Sequence, residues 1–254
     1  MNKAKRLGEV NISNEKYKML IIEYNNANDL IIEFQDEHKA RICTTYQNFK
    51  KGSIGNPFHP SIYGIGYIGQ GKHKTFVNGK DTDSYQVWHS MLRRCYDPYY
   101  LNKEPTYINC YVCEEWLNYQ NFAKWYEENY YNCNNEEMHL DKDILIKGNK
   151  IYSPENCIFV PKRINILFVR SNRSETGYPI GVSCYKKDKL RVQCNYYGKR
   201  KFLGYFPLDR PFQAFTTYRN FKEKYIKQVA DEYKDLIPIE LYNAMYNYKV
   251  EIND

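Results

Sequence analysis

No run of about 18 consecutive apolar residues occurs in this 254-residue chain, so no membrane-spanning helix is expected. The basic opening, Met1 to Leu7, lacks the apolar core of a secretory signal. Without such a signal the 8 cysteines, scattered mostly through apolar patterns, are read as reduced thiols rather than a disulfide framework. Only one closely spaced pair, Cys110 and Cys113, is present. A structural zinc usually draws four ligands from two such pairs, so zinc is not expected; Cys95, Cys133 or His139 could complete a set only through tertiary folding. Acids are scarce between residues 162 and 201, which hold 11 Lys and Arg against Glu175 and Asp188. That window carries +9 while the rest of the chain sums to −2, the footprint of a polyanion partner or else a solubilising face. With 43% hydrophobic and 26% charged residues the chain is expected to fold, and its length suffices for two or three small cores.

Apolar residues alternate through Leu20–Tyr24, Leu30–Phe34 and Ala40–Thr44, with turn residues between, which predicts three short strands. Breakers at Gly52, Gly55, Pro57 and Pro60 close this segment, read as a small SH3-like barrel. Gly64, Gly66 and Gly69 have the spacing of a dinucleotide fingerprint. No amphipathic helix follows them, so the fingerprint is rejected in favour of a flexible linker ending near Lys80. Helical spacing predicts helices over 84–97, capped by Asp83 or Ser84, and over 118–130. Further on, three strands are predicted over 180–186, 190–196 and 201–206, then a long helix over 211–235 with Pro211 in its first turn.

The stretch from His139 to Asn165 combines acids, a Gly148–Asn149 turn, Ser153-Pro-Glu-Asn156, an apolar run from Cys157 to Val160 and a basic exit. It resembles the His-Asn-His (HNH, ββα-metal) nucleases, over about residues 83–170. The resemblance implies a metal-binding hairpin and helix that cut DNA with Mg²⁺ or Mn²⁺. Asp141 matches the strand ligand, Asn156 the structural loop Asn, and Asn165, nine residues further, the helix ligand. Lys142 stands where the general-base His belongs. A lysine, with an ordinary pKa of about 10.4, can contact a phosphate but is mostly protonated at neutral pH. His139 shares a strand face with Asp141 and suits a base near pH 7. An active nuclease, nicking one strand at a single metal site, and an inactive scaffold that only binds DNA both remain open.

Residues 177–235 resemble the DNA-binding domain of plant ethylene-response factors, which also occurs fused to homing nucleases of phages and bacteria. The matching pieces are Gly181-Val182, Lys189 to Gln193 and Gly198 to Phe206, without the Trp residues usual in that sheet. In the second strand Leu190, Val192 and Cys194 should face the long helix, turning Arg191, Gln193 and Asn195 outward with Ser183 and Tyr185. Such side chains can read guanine and adenine edges. Lys186, Lys187, Lys189, Lys199, Arg200 and Lys201 would meet phosphates.

The expected fold class is α+β, in four segments: a barrel over 1–62, a linker over 63–82, an HNH-like core with flanking helices over 83–172, and a three-stranded antiparallel sheet on one long helix over 173–254. Double-stranded DNA is the expected partner, with no membrane association and a cytoplasmic location in a bacterial host if phage-encoded. The barrel's own partner is unspecified.

Overall fold

The computed structural model describes residues 6–168, 177–186 and 188–252. The alternation near the N-terminus forms β1 (Val10–Ile12), β2 (Lys18–Asn26), β3 (Asp29–Phe34) and β4 (Arg41–Thr44). These make one antiparallel meander in that order. Met19, Ile21, Leu30, Ile32 and Phe34 fill its apolar face. The expected barrel is not closed, since β1 and β4 are the two edges. After β4 the chain turns into α1 (Tyr46–Lys51) instead of a further strand. Thr45 caps this helix, Gly52 ends it in the left-handed region, and Phe49 packs into the sheet core.

Next come a hairpin of β5 (Phe76–Val77) and β6 (Lys80–Asp81), then α2 (Asp83–Tyr96), α3 (Pro98–Lys103) and β7 (Tyr111–Val112). They are followed by α4 (Glu114–Leu117), α5 (Tyr119–Asn129), β8 (Met138–Asp141), β9 (Ile151–Tyr152), β10 (Ile158–Pro161) and α6 (Lys162–Phe168). The last elements are β11 (Val182–Tyr185), β12 (Lys189–Tyr196), β13 (Lys199–Pro207), α7 (Pro211–Glu232) and α8 (Ile239–Asn247). The chain divides into two compact units: Met1–Asn129 with Lys150–Pro154, and Tyr130–Asn149 with Glu155–Asp254. Among the described residues no helix is long and apolar enough to cross a membrane.

In the first unit, Thr82 caps α2, one residue before the expected cap. The Trp88 indole donates to the Trp116 carbonyl at 2.7 Å inside a cluster of aromatic rings. Residues 63–82, expected as a flexible linker, are instead strapped down. Tyr67 exchanges backbone hydrogen bonds with Leu117 and Tyr119, and the Gln120 amide donates to the carbonyls of Ile68 and His73. The glycines there permit contact rather than flexibility. A Cβ on Gly66 would lie 2.4 Å from Leu92, and one on Gly69 2.3 Å from Asn118.

In the second unit, β8 pairs antiparallel with β10, and α6 follows β10 without a loop. Strands β11, β12 and β13 form an antiparallel sheet. Helix α7 serves two cores. Its first half sets Ala214, Phe215 and Tyr218 against Val182, Leu190, Val192 and Cys194. Its second half sets Tyr225, Ile226, Val229 and Ala230 against Val160, Ile164 and Leu167.

Candidate functional site

Both candidate regions lie in the second unit. In the hairpin, Leu140 turns into the core, so the neighbours His139 and Asp141 share the opposite face of β8. The Lys162 amide donates to the Glu137 carbonyl at 2.8 Å and ties the start of α6 to the strand. One turn later Asn165 reaches back, its Nδ2 lying 3.1 Å from His139 Nδ1. The other ring nitrogen, Nε2, lies 3.2 Å from Glu137 Oε1, and Glu137 also takes the Lys162 ammonium. A carboxylate can only accept, so Nε2 carries the proton and Nδ1 accepts from the Asn165 amide.

Asp141 ends its strand with a local turn. Its Oδ1 accepts the backbone N–H groups of Asp143 at 2.9 Å and Ile144 at 2.7 Å. Burial first, and then the neighbouring charge of Asp143, push its carboxyl up to about 6 against the opposing pull of those two amides and Lys142. Asp141 and Asn165 offer carboxylate and amide oxygens, donors suited to Mg²⁺ or Mn²⁺. Among the described residues no three His, Cys, Asp or Glu side chains gather into a metal-holding group. The expected pair contains only one residue of those types.

Two residues named from the sequence sit differently. Lys142 is only 8% exposed, and its ammonium lies 3.2 Å from Asp143 Oδ2, so it is directed inward rather than toward an external phosphate. The reason is local: Asp141 stops the strand, and the next residue turns under the loop. Asn156 is half-buried in the turn before β10. In the preceding loop, between β8 and β9, Asn149 Nδ2 donates to the Lys142 carbonyl at 2.6 Å.

On the sheet, Leu190, Val192 and Cys194 are buried beneath α7. Arg191 and Gln193 are half-buried on the opposite face, and Asn195 is exposed. Ser183 pairs with Arg191, and its hydroxyl donates to the Arg191 carbonyl at 3.4 Å. Tyr185 pairs with Lys189. Lys186, Lys189, Lys199 and Arg200 are exposed at the strand ends. Lys187 lies outside the described residues. Lys201 departs from the expected phosphate cluster. It pairs with the inward-facing Cys194, and its ammonium sits 4.9 Å from the Tyr196 ring centre and 5.2 Å from that of Phe221 on α7.

The outer face also holds an aromatic group that the sequence pattern hides. Tyr205 lies opposite Arg191 and Phe202 opposite Gln193, with a bulge between Val192 and Gln193 in the register. Three positions apart, the two rings would face opposite sides of a regular strand. The extra residue, Leu203, turns inward and brings them to one side. A glycine inside a strand, Gly204, is the available signal for such a bulge. Tyr205 stacks on Tyr185 with ring centres 5.0 Å apart and touches Phe202 at 4.7 Å. The Arg191 guanidinium lies 5.4 Å from the Tyr185 centre, and its Nε is buried without a hydrogen-bond partner among the described residues.

No family model, curated protein or solved structure matches the chain.

Proposed function

We propose that the protein binds duplex DNA through the outer face of β11–β13 and nicks it at an HNH-like centre formed by β8, β10 and α6. DNA binding rests on the outer face itself. It combines Arg191, Gln193 and Asn195 with strand-end cations and leaves the opposite face to the core. Arg and amide side chains on a sheet read base edges in the major groove, while flanking cations hold phosphates. The aromatic edge of Tyr185, Tyr205 and Phe202 supplies apolar contacts for a thymine methyl or a sugar.

The contact between His139 and Asn165 carries the nuclease assignment, because it joins the strand that bears the alternative base to the helix that bears the expected ligand, although the family's base position is held by Lys142. Asp141 and Asn165 would hold Mg²⁺ or Mn²⁺, which when bound offsets charge developing on the scissile phosphate. Glu137 fixes the His139 tautomer, and the Nδ1 lone pair is the group able to take a proton from water. That lone pair is engaged by Asn165, so proton abstraction requires the amide to release it.

A second reading, a DNA-binding regulator without cleavage, is favoured by one observation. Asp141 already accepts two backbone amides, and its carboxyl holds a proton more readily than an ordinary aspartate. The separating experiment is supercoiled plasmid with Mn²⁺ across pH 6–9. Nicking by the wild type that is lost in Asp141→Ala supports the enzyme. Intact plasmid, together with tight duplex binding, supports the regulator.

A further inference from the structure

We propose that the cavity between α6, the β12–β13 turn and α7 binds a phosphate monoester of nucleotide size, with Lys222 as the cation that receives the phosphate. The cavity has a volume of about 510 Å³ and lies wholly within the second unit. It is not the His139–Asn165 contact, and of the residues assigned to the DNA-reading face it shares only Asn195, near the end of β12; the inference does not depend on DNA binding.

Three cations line it. Lys162 is matched by Glu137. Arg163 is matched by Glu232 and lies over the rings of Tyr197 and Tyr233. Among the described residues Lys222 has neither a hydrogen-bond acceptor nor an acidic partner. Burial pushes its ammonium below the ordinary lysine range, against a smaller opposing effect of the buried Cys194 thiol. The remaining wall carboxylate, Glu136, is already engaged by the Tyr233 hydroxyl at 2.6 Å. Lys222 is therefore the wall cation with no ion pair among the described residues; Glu136 keeps its charge but makes no ion pair with it.

A half-buried amine without a nearby anion loses part of its hydration uncompensated, and a ligand anion offsets that loss. A phosphate monoester supplies two negative charges and three acceptor oxygens, enough for Lys222 and a neighbouring donor such as Asn195. The space exceeds what a bare phosphate fills and falls in the range of about 300–1,000 Å³ typical of small-molecule sites. Tyr225, Ile166 and Leu167 give the rest of the wall an apolar surface against which a planar base can lie.

The test is calorimetric titration of the full chain with deoxyadenosine monophosphate, deoxyadenosine and inorganic phosphate, in wild type and in Lys222→Met. Saturable binding of the monophosphate is expected. It should weaken about tenfold or more on losing either the phosphate or the lysine, as removal of a charge-assisted hydrogen bond implies. A wild-type measurement covers the case in which the variant does not fold. Acetylation of Lys222 by a water-soluble reagent, quantified by mass spectrometry, should fall in the presence of the monophosphate but not of deoxyadenosine. Absence of saturable binding, equal binding by folded Lys222→Met, or unchanged acetylation would overturn the site. Inorganic phosphate binding as tightly as the monophosphate would overturn its nucleotide size.

Discussion

The amide of Asn165 on α6 lies 3.1 Å from Nδ1 of His139 on β8, so a helix side chain and a strand side chain meet across the hairpin. Lys142, adjacent in sequence to Asp141, is directed away into an ion pair with Asp143. If the centre cuts DNA, the base is His139 and not the residue aligned with the family's base.

Nicking of supercoiled plasmid with Mn²⁺ should accordingly fall about 100-fold or more in His139→Ala, the usual size of a lost general base. Lys142→Met should have a far smaller effect, and chelation of the metal should abolish nicking in both. A reversed ranking, with Lys142→Met the more severe, would move the base to the lysine.

The sheet face separates readers from holders. Arg191→Ala should cost about 1–3 kcal/mol at a preferred duplex and little elsewhere. Arg200→Ala should weaken all duplexes alike and reduce the salt slope by about 1. Lys201→Ala should change binding less than Arg200→Ala, because its ammonium lies against Tyr196 and Phe221. Fluorescence anisotropy over a salt series checks all three, and a larger effect from Lys201 than from Arg200 would contradict the geometry.

Gly181 tests the packing of the sheet on α7. Its φ is +76°, and an added Cβ would fall 2.0 Å from the Tyr218 ring. Gly181→Ala should destabilise the protein by about 1–3 kcal/mol for overpacking, plus the strain of a left-handed backbone. Urea unfolding followed by circular dichroism measures it, and a neutral result would mean that Tyr218 can move aside.

Acid stability reports on the Glu232 network. Burial alone would raise this carboxyl, but hydrogen bonds from Tyr197 and Arg163, with the Arg163 charge, hold it below its ordinary 4.5. A depressed carboxylate contributes stability above its unfolded pKa and loses it as pH falls through the folded value. Glu232→Gln should therefore lower Tm at pH 7, and the gap from wild type should close below about pH 4. A gap that stays constant from pH 7 to pH 3 would show that ionisation of Glu232 contributes nothing.

The elements most legible in the sequence were those with long regular patterns. Alternation marked β2, β3 and β12, including the burial of Leu190, Val192 and Cys194, and helical spacing marked α2, α5 and α7. What escaped depended on contacts distant in sequence or on a single displaced residue. The open edge of the first sheet follows from α1 forming where a barrel needs another strand. The strap over 63–82 depends on Gln120, some fifty positions away. The joint exposure of Phe202 and Tyr205 comes from one inserted residue, Leu203. At the hairpin, spacing picked out Asp141, Asn156 and Asn165, and strand alternation added His139, but neither gave the inward course of Lys142 or the bond from Asn149.

Helix α7 belongs to two cores at once, which bears on how the second unit can be taken apart. A chain severed between Phe168 and Gly177 would leave the fragment that carries α7 with Tyr225, Ile226 and Val229 stripped of Val160, Ile164 and Leu167. Its sheet would retain a complete core of its own. Such a fragment is a folded head with an adhesive stalk. Co-expressed with residues 1–168, it should be recaptured by them as a split-protein pair; expressed alone, it should self-associate through that stalk.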